Sequence, residues 1–395
     1  MSADTGPSLT TGAGLDASAE TLSAPAGTIP FFAAEREFAA HGRELLERVE
    51  AVLRGGQTLQ GEQVRAFEDA LAERVGRAHA VAVGSGTDAL FFALRALGIG
   101  RGDDVLVPAL SFIASASCVV RAGARPVFVD TDERHLLDLD SARAALTART
   151  RAVIAVDLFG QTPDPRALDV FAREHGVLVV EDAAQALGAE HACAIGALSC
   201  LSFDPTKPLA APGSGGALLT DDPRLAAHAR RLRWHGRGAD GRYGELGYNS
   251  QLPEISAAVL RYKLELEPAW RAARQRIAAR YDAALAATPG IDAPKRGDAR
   301  AHAFSKYVIR ARDRDTLRER LQRAGVPTRI HYPRTLGSEP LFAGPGASPF
   351  ACPNAERASR EVLSLPIHAF LDEHEVDRVA DAVASVTGTR TGACR

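Results

Sequence analysis

Residues 177–185 read Val177-Leu178-Val179-Val180-Glu181-Asp182-Ala183-Ala184-Gln185. Four apolar residues without alternation suit a strand buried on both faces, as in a parallel sheet. Such a strand delivers the Asp182 carboxylate at its C-terminal end, where open α/β sheets bind their ligands. Downstream runs Ser202-Phe203-Asp204-Pro205-Thr206-Lys207, a strand end followed by a loop lysine. Singly, neither residue means much. A strand-end Asp commonly forms a turn or caps a helix, and a lone Lys is usually solvated.

Around these stretches, short apolar strands alternate with helices. His79–Val83, 104–107, 126–130, 151–156, 177–180, 199–203 and 216–220 read as strands. Thr87 to Leu97 reads as a helix, and 253–286 as a long one with Leu260, Leu264, Leu266, Trp270 and Ile277. Nearer the N-terminus, Leu45, Leu46, Val49, Val52 and Leu53 give helical spacing over 43–54. Gly55-Gly56-Gln57-Thr58 breaks it, and Val64, Phe67 and Leu71 mark a second helix over 61–75. This alternation predicts an α/β fold with a mostly parallel central sheet covered by helices. The expected division is a tail at 1–28, a large domain at 29–264, a smaller C-terminal α+β domain at 265–387 and a tail at 388–395. Both tails are expected to be disordered, being short of bulky apolar residues.

The chain has 395 residues, 46% hydrophobic and 24% charged, with net charge −2. That fits a globular protein with a sizeable core and gives no reason to expect nucleic acid as a partner. No run of eighteen apolar residues suggests a membrane span, and the N-terminus lacks the basic and apolar regions of a secretory signal. Cys118, Cys193, Cys200, Cys352 and Cys394 match neither a zinc nor a disulfide spacing. They read as small apolar residues, mostly in or near strands, in a reducing cytoplasm, and no metal site is expected.

The chemistry lies in the assembled set. A lysine amine forms Schiff bases, and a carboxylate can hold a protonated pyridine nitrogen. Those are the two groups that pyridoxal 5′-phosphate (PLP) requires of a protein. Gly84-Ser85-Gly86-Thr87-Asp88-Ala89-Leu90 lies between a strand and a helix, where small residues and a helix N-terminus suit a phosphate. It has neither the Walker ending nor the GxGxxG pattern. Phe112 is placed to cover a flat ring, Gln185 to bond a ring hydroxyl and Ser202 to donate to the phosphate.

These stretches, with Glu181-Asp182-Ala183-Ala184-Gln185-Ala186-Leu187-Gly188-Ala189, Gly213-Ser214-Gly215-Gly216-Ala217 and Gly247-Tyr248-Asn249-Ser250, come in one order. In that order they resemble the PLP-dependent sugar aminotransferases of the DegT/DnrJ/EryC1/StrS family, from about Phe31 to Val386. The resemblance implies a PLP-dependent transferase of fold type I and a homodimer with shared active sites. It implies Lys207 as the Schiff-base lysine and proton carrier, and Asp182 on the pyridine nitrogen. Gln185 would contact the ring hydroxyl and Phe112 would stack on the ring. Gly86, Thr87 and Ser202 would hold the phosphate, with Asn249 reaching it from the second subunit. His331 and Tyr332 would lie near the sugar. The implied reaction is transamination of a keto-sugar, in nucleotide-linked form, with L-glutamate as amino donor and ping-pong kinetics.

The chain departs from the family pattern at Asp157, where many relatives carry His, and at Gln251, where many carry Arg. After His331-Tyr332-Pro333 the usual Pro-Leu-His is replaced by Arg334-Thr335-Leu336. The form Gly247-Tyr248-Asn249-Ser250 resembles the subgroup acting on 3-keto sugars. Alternatives are a cyclic polyol ketone or an unactivated keto-sugar as substrate, and a non-catalytic sensor or scaffold. A related dehydratase class replaces the lysine with His, so Lys207 stands against it. A module binding nucleotide through Gly84–Thr87 alone would leave the other groups without a role.

Overall fold

The computed structural model describes residues 29–343 and 350–386. Both expected tails and Cys394 lie outside them. In chain order the first part comprises α1 (Ala34–Gly55), α2 (Glu62–Val75), β1 (His79–Val83), α3 (Gly86–Ala96), β2 (Asp104–Pro108), α4 (Ala114–Arg121), β3 (Arg125–Val129), α5 (Leu139–Ala144) and β4 (Thr150–Val156). Then come α6 (Pro165–His175), β5 (Leu178–Asp182), β6 (Leu198–Ser202), β7 (Gly216–Thr220), α7 (Pro223–Leu232) and α8 (Glu254–Leu285). The remainder is β8 (Ile291–Asp292), β9 (Tyr307–Ala311), α9 (Arg314–Arg323), α10 (Pro353–Glu361), β10 (Val362–Leu365) and α11 (Glu373–Val386).

Seven strands form one sheet in the order β1-β7-β6-β5-β4-β2-β3. Only β7 runs against its neighbours, so β1 through β6 all end on one rim. The strands alternate side chains between two buried faces, as their period of two requires. Val81, Val105, Ile154 and Val180 pack against α3, α4 and α7. Ala82, Leu201 and Leu219 meet α2 and α8, while Leu106, Val153 and Val179 meet α5 and α6. Phe67 and Phe171 are fully buried there. Each stabilises the sheet-to-helix packing by roughly 1.5–3 kcal/mol.

Local signals set several ends. Asp164 caps α6 by accepting from the N–H groups of Arg166 and Ala167, with Pro165 in the first turn. The start of α2 is capped from a distance, because the Glu254 carboxylate accepts from the N–H groups of Gly61, Gln63 and Val64.

A second sheet, β10-β9-β8, is antiparallel and packs with α9, α11 and the end of α8. Leu264 belongs to the first core, and Ile277, Tyr281 and Leu285 to the second, so α8 runs through both. Ile29 also lies in the second core, whereas Leu336, Phe342, Ala355 and Val362 return to the first. The described cysteines are all buried and free. Cys200 is in β6 and Cys193 lies in the loop leading to it, whereas Cys118 sits on α4 and Cys352 just before α10. Among the described residues no helix is long and apolar enough to cross a membrane.

Candidate active site

The shared rim gathers the chemistry. Asp182 ends β5, Ser202 ends β6, and Asp157 follows β4. Asp182 is buried and accepts from Ser115 Oγ at 2.7 Å, and Ser115 in turn meets Ser111 Oγ at 2.7 Å. Burial raises the Asp182 pKa, while the Ser115 hydroxyl, the Lys207 charge and the Ala184 N–H oppose the rise. A cationic partner would complete that stabilisation of the carboxylate.

Lys207 follows a turn in which its N–H donates to Asp204 O at 2.9 Å. Its ammonium makes no hydrogen bond or ion pair among the described residues. Burial lowers its pKa, with Asp182 and Asp204 pulling the other way. An uncommitted amine of lowered pKa is what a Schiff-base nucleophile requires.

Ser85 caps α3 by accepting from Asp88 N–H, which leaves Gly86 and Thr87 in its first turn. A Cβ on Gly86 would stand 2.6 Å from Ser202 Cβ and 3.0 Å from its Oγ. Glycine thus lets the helix N-terminus and the Ser202 hydroxyl converge, as an anion site needs.

Gln185 Oε1 accepts from Phe159 N–H at 3.0 Å. Its amide lies near the Tyr332 hydroxyl, which burial pushes up in pKa. Phe112 is 50% exposed, not a core residue, and its ring lies 5.9 Å from that of Tyr332. His331 Nδ1 meets Ser364 Oγ at 2.7 Å, and burial with the charges of Lys306, Lys207 and Arg329 lowers its pKa to about 2. Asn249 is not gathered into this set. It is exposed, and its Oδ1 accepts from Gln251 Nε2 at 3.2 Å, while Gln251 Oε1 also bonds Gln60.

Several site groups escaped the sequence reading. Ser111 and Ser115 stand four residues apart, a spacing that could have flagged them. Glu181 points to the opposite face from Asp182 and accepts from Cys193 N–H, Ile195 N–H and Ser199 Oγ, at 2.9, 3.0 and 2.6 Å. Asp157 is buried beside it. Burial and the Glu181 charge raise the Asp157 pKa well above its ordinary value, which favours the protonated acid there, while the donors to Glu181 oppose the rise that burial imposes on its own carboxyl. Lys306 is the other addition. No cluster of three metal-ligating side chains occurs among the described residues.

With this geometry in place, comparison with known proteins is decisive. The family model for DegT/DnrJ/EryC1/StrS aminotransferases matches residues 40–384. The chain belongs to this family. A UDP-2-acetamido-2-deoxy-3-oxo-D-glucuronate aminotransferase from Pseudomonas aeruginosa is 37% identical over 85% of this chain and 94% of its own length. A dTDP-3-amino-3,4,6-trideoxy-alpha-D-glucose transaminase from Streptomyces venezuelae is 39% identical over 90% and 95%. The crystal structure of S. venezuelae DesV in complex with a ketimine intermediate superposes with TM-score 0.88 at 38% identity, covering 91% of this chain and 99% of that one. The family's members are PLP-dependent sugar aminotransferases, so this chain is a PLP-dependent enzyme of the fold expected from its sequence. The residues present fit that cofactor. Asp182 has a carboxylate oxygen fixed by Ser115, Lys207 is uncommitted, and the Gly86–Ser202 approach is one that any larger residue would fill.

Proposed function

We propose that the enzyme aminates a nucleotide-linked keto-sugar, with L-glutamate as amino donor, through two half-reactions at one site. The observation that supports this best is Lys207, an uncommitted half-buried amine within electrostatic reach of the buried Asp182 carboxylate. When bound, PLP supplies the electron sink that lets a Cα–H bond ionise. Asp182 would hold the pyridine nitrogen in its protonated form. Gly86, Thr87 and Ser202 would hold the phosphate, and Phe112 with Tyr332 would wall off water from the ring. The Lys207 amine would then carry the proton between carbon atoms, a role that its burial-lowered pKa favours. One site used in turn by donor and acceptor gives ping-pong kinetics. The relatives named for 3-oxo and 3-amino sugars support a 3-keto acceptor. We also place two copies in the working enzyme, with the exposed Asn249 reaching the partner's phosphate site.

The test is the absorption spectrum of the PLP-loaded protein before and after L-glutamate, followed by candidate 3-keto nucleotide sugars. The long-wavelength cofactor band should be lost with glutamate and return with the right acceptor. Lys207→Ala should lack the band's reducible linkage and turn over nothing. Mixing K207A with N249A copies should restore part of the activity. A band indifferent to every amino donor would instead favour a sensor role.

A further inference from the structure

Lys306 opens the second core at the foot of β9, far in sequence from the rim residues. It is only 7% exposed, and among the described residues its ammonium has no hydrogen bond or ion pair. Its backbone is fixed. Lys306 N–H donates to Phe159 O at 3.2 Å and Ala303 N–H to Gly160 O at 2.7 Å. Gly160 has φ +99°, and a Cβ there would stand 2.9 Å from Gln185 O and 3.0 Å from Ser305 N. The same turn presents Phe159 N–H to Gln185. Lys306 is thus bolted to the floor on which the cofactor ring is expected to lie.

Its side chain lies close enough to Lys207 to feel that charge. Lys207, Ser305 and Lys306 line one cavity of about 600 Å³, walled by Phe31, Trp270 and Phe370. His331 packs on Phe31, with ring centres 6.5 Å apart. The Ser305 hydroxyl is also buried without a partner. Of the other cations lining the cavity, Lys263 pairs with Glu37, and Arg274 donates Nε to Ala303 O at 3.0 Å and lies 3.7 Å from Glu267, although its Nη2 makes no hydrogen bond. Burial, with the Lys207 charge, pushes Lys306 down to about 7. A buried cation without a partner is costly unless a ligand brings the anion. The phosphate end of the cofactor has its own cradle at Gly86 and Ser202. An anion held by Lys306 on the Lys207 side of this cavity lies toward the carbon that bonds that amine. That describes the α-carboxylate of an amino acid and not the diphosphate of a nucleotide sugar.

We infer that Lys306, with Ser305 Oγ beside it, grips the carboxylate of the amino-acid donor. The inference rests on the aminotransferase reading above and adds the residue that recognises the donor. It makes Lys306 a binding residue rather than a proton carrier.

The experiment uses the PLP-loaded protein and three variants, Lys306→Met, Lys306→Gln and Lys306→Arg. Calorimetry measures 2-oxoglutarate and UDP binding, and stopped-flow absorbance measures the half-reaction with L-glutamate. Met and Gln should weaken 2-oxoglutarate and glutamate binding by about thirtyfold, the loss of a buried charge-assisted pair. The rate at saturating glutamate, the cofactor band and UDP affinity should change little. Arg, which keeps the charge with different geometry, should recover most of the affinity. Equal 2-oxoglutarate affinity in wild type and K306M overturns the inference alone. So does a loss confined to the saturated rate, or one confined to UDP. A wild-type protein that binds neither 2-oxoglutarate nor glutamate overturns the donor reading and this inference together.

Discussion

Asp157 shows how one residue can be read through its neighbour. Glu181 already has three donors that favour its charge, and burial with that charge raises the pKa of the Asp157 beside it. The folded chain then retains a proton that unfolded Asp157 releases above its ordinary value of 3.8. Stability contributed by this group is therefore present at low pH and lost as pH rises toward the raised folded value. Asp157→Asn carries its own donor and needs no proton. It should be more stable than wild type at pH 7.5 by at least about 1.4 kcal/mol, the worth of one pH unit, with the gap closing near pH 4. Urea midpoints at the two pH values check this, and an unchanged gap would mean that Asp157 is ionised. The departure from the family's His was visible in the sequence. Its consequence was not, because Glu181 looked like a mere neighbour of Asp182 until the strand alternation put them on opposite faces. Lys306 was equally hidden, since Phe159, Lys207 and His331 come to it only through the fold.

At the scale of the element, the start of α3 was legible because small residues marked a strand-to-helix junction, and Gly86 and Ser202 come close together there. Gly86→Ala places a methyl 2.6 Å from Ser202 Cβ. That overpacking should cost about 1–3 kcal/mol of stability. PLP affinity should fall about tenfold or more, equivalent to 1.4 kcal/mol. Fluorescence titration of the apoprotein with PLP reads the second effect, and wild-type affinity would show that the cradle lies elsewhere. The first helix was legible only in part. It begins at Ala34 rather than near residue 43, because Ala34–Gly42 has little apolar periodicity to announce it. Its outer stripe, with Phe38, Leu46 and Leu53, is more than half exposed on this chain.

Across the whole molecule, the mostly parallel sheet could be read from strand and helix alternation, and β7 could not be told from its neighbours by composition. The long helix was also readable, but not its service to two cores. Because α8 gives Leu260 and Leu264 to one core and Ile277 and Tyr281 to the other, neither core can be completed without it. Unfolding should therefore be one cooperative event. Far-UV circular dichroism and the fluorescence of Trp234 and Trp270 should follow one urea transition. Two separated transitions would mean that α8 can break between the cores.

The backbone tie between residues 303–306 and the turn at Phe159–Gly160 has a consequence for how such an enzyme changes over generations. Cofactor floor and Lys306 share one rigid seat, whereas Phe31, Phe32 and Phe38, which line the cavity wall, come from the N-terminal segment and the start of α1. Mutations in that wall would reshape the cavity without disturbing the backbone seat of Lys306. The cavity can therefore diverge faster than the seat it adjoins.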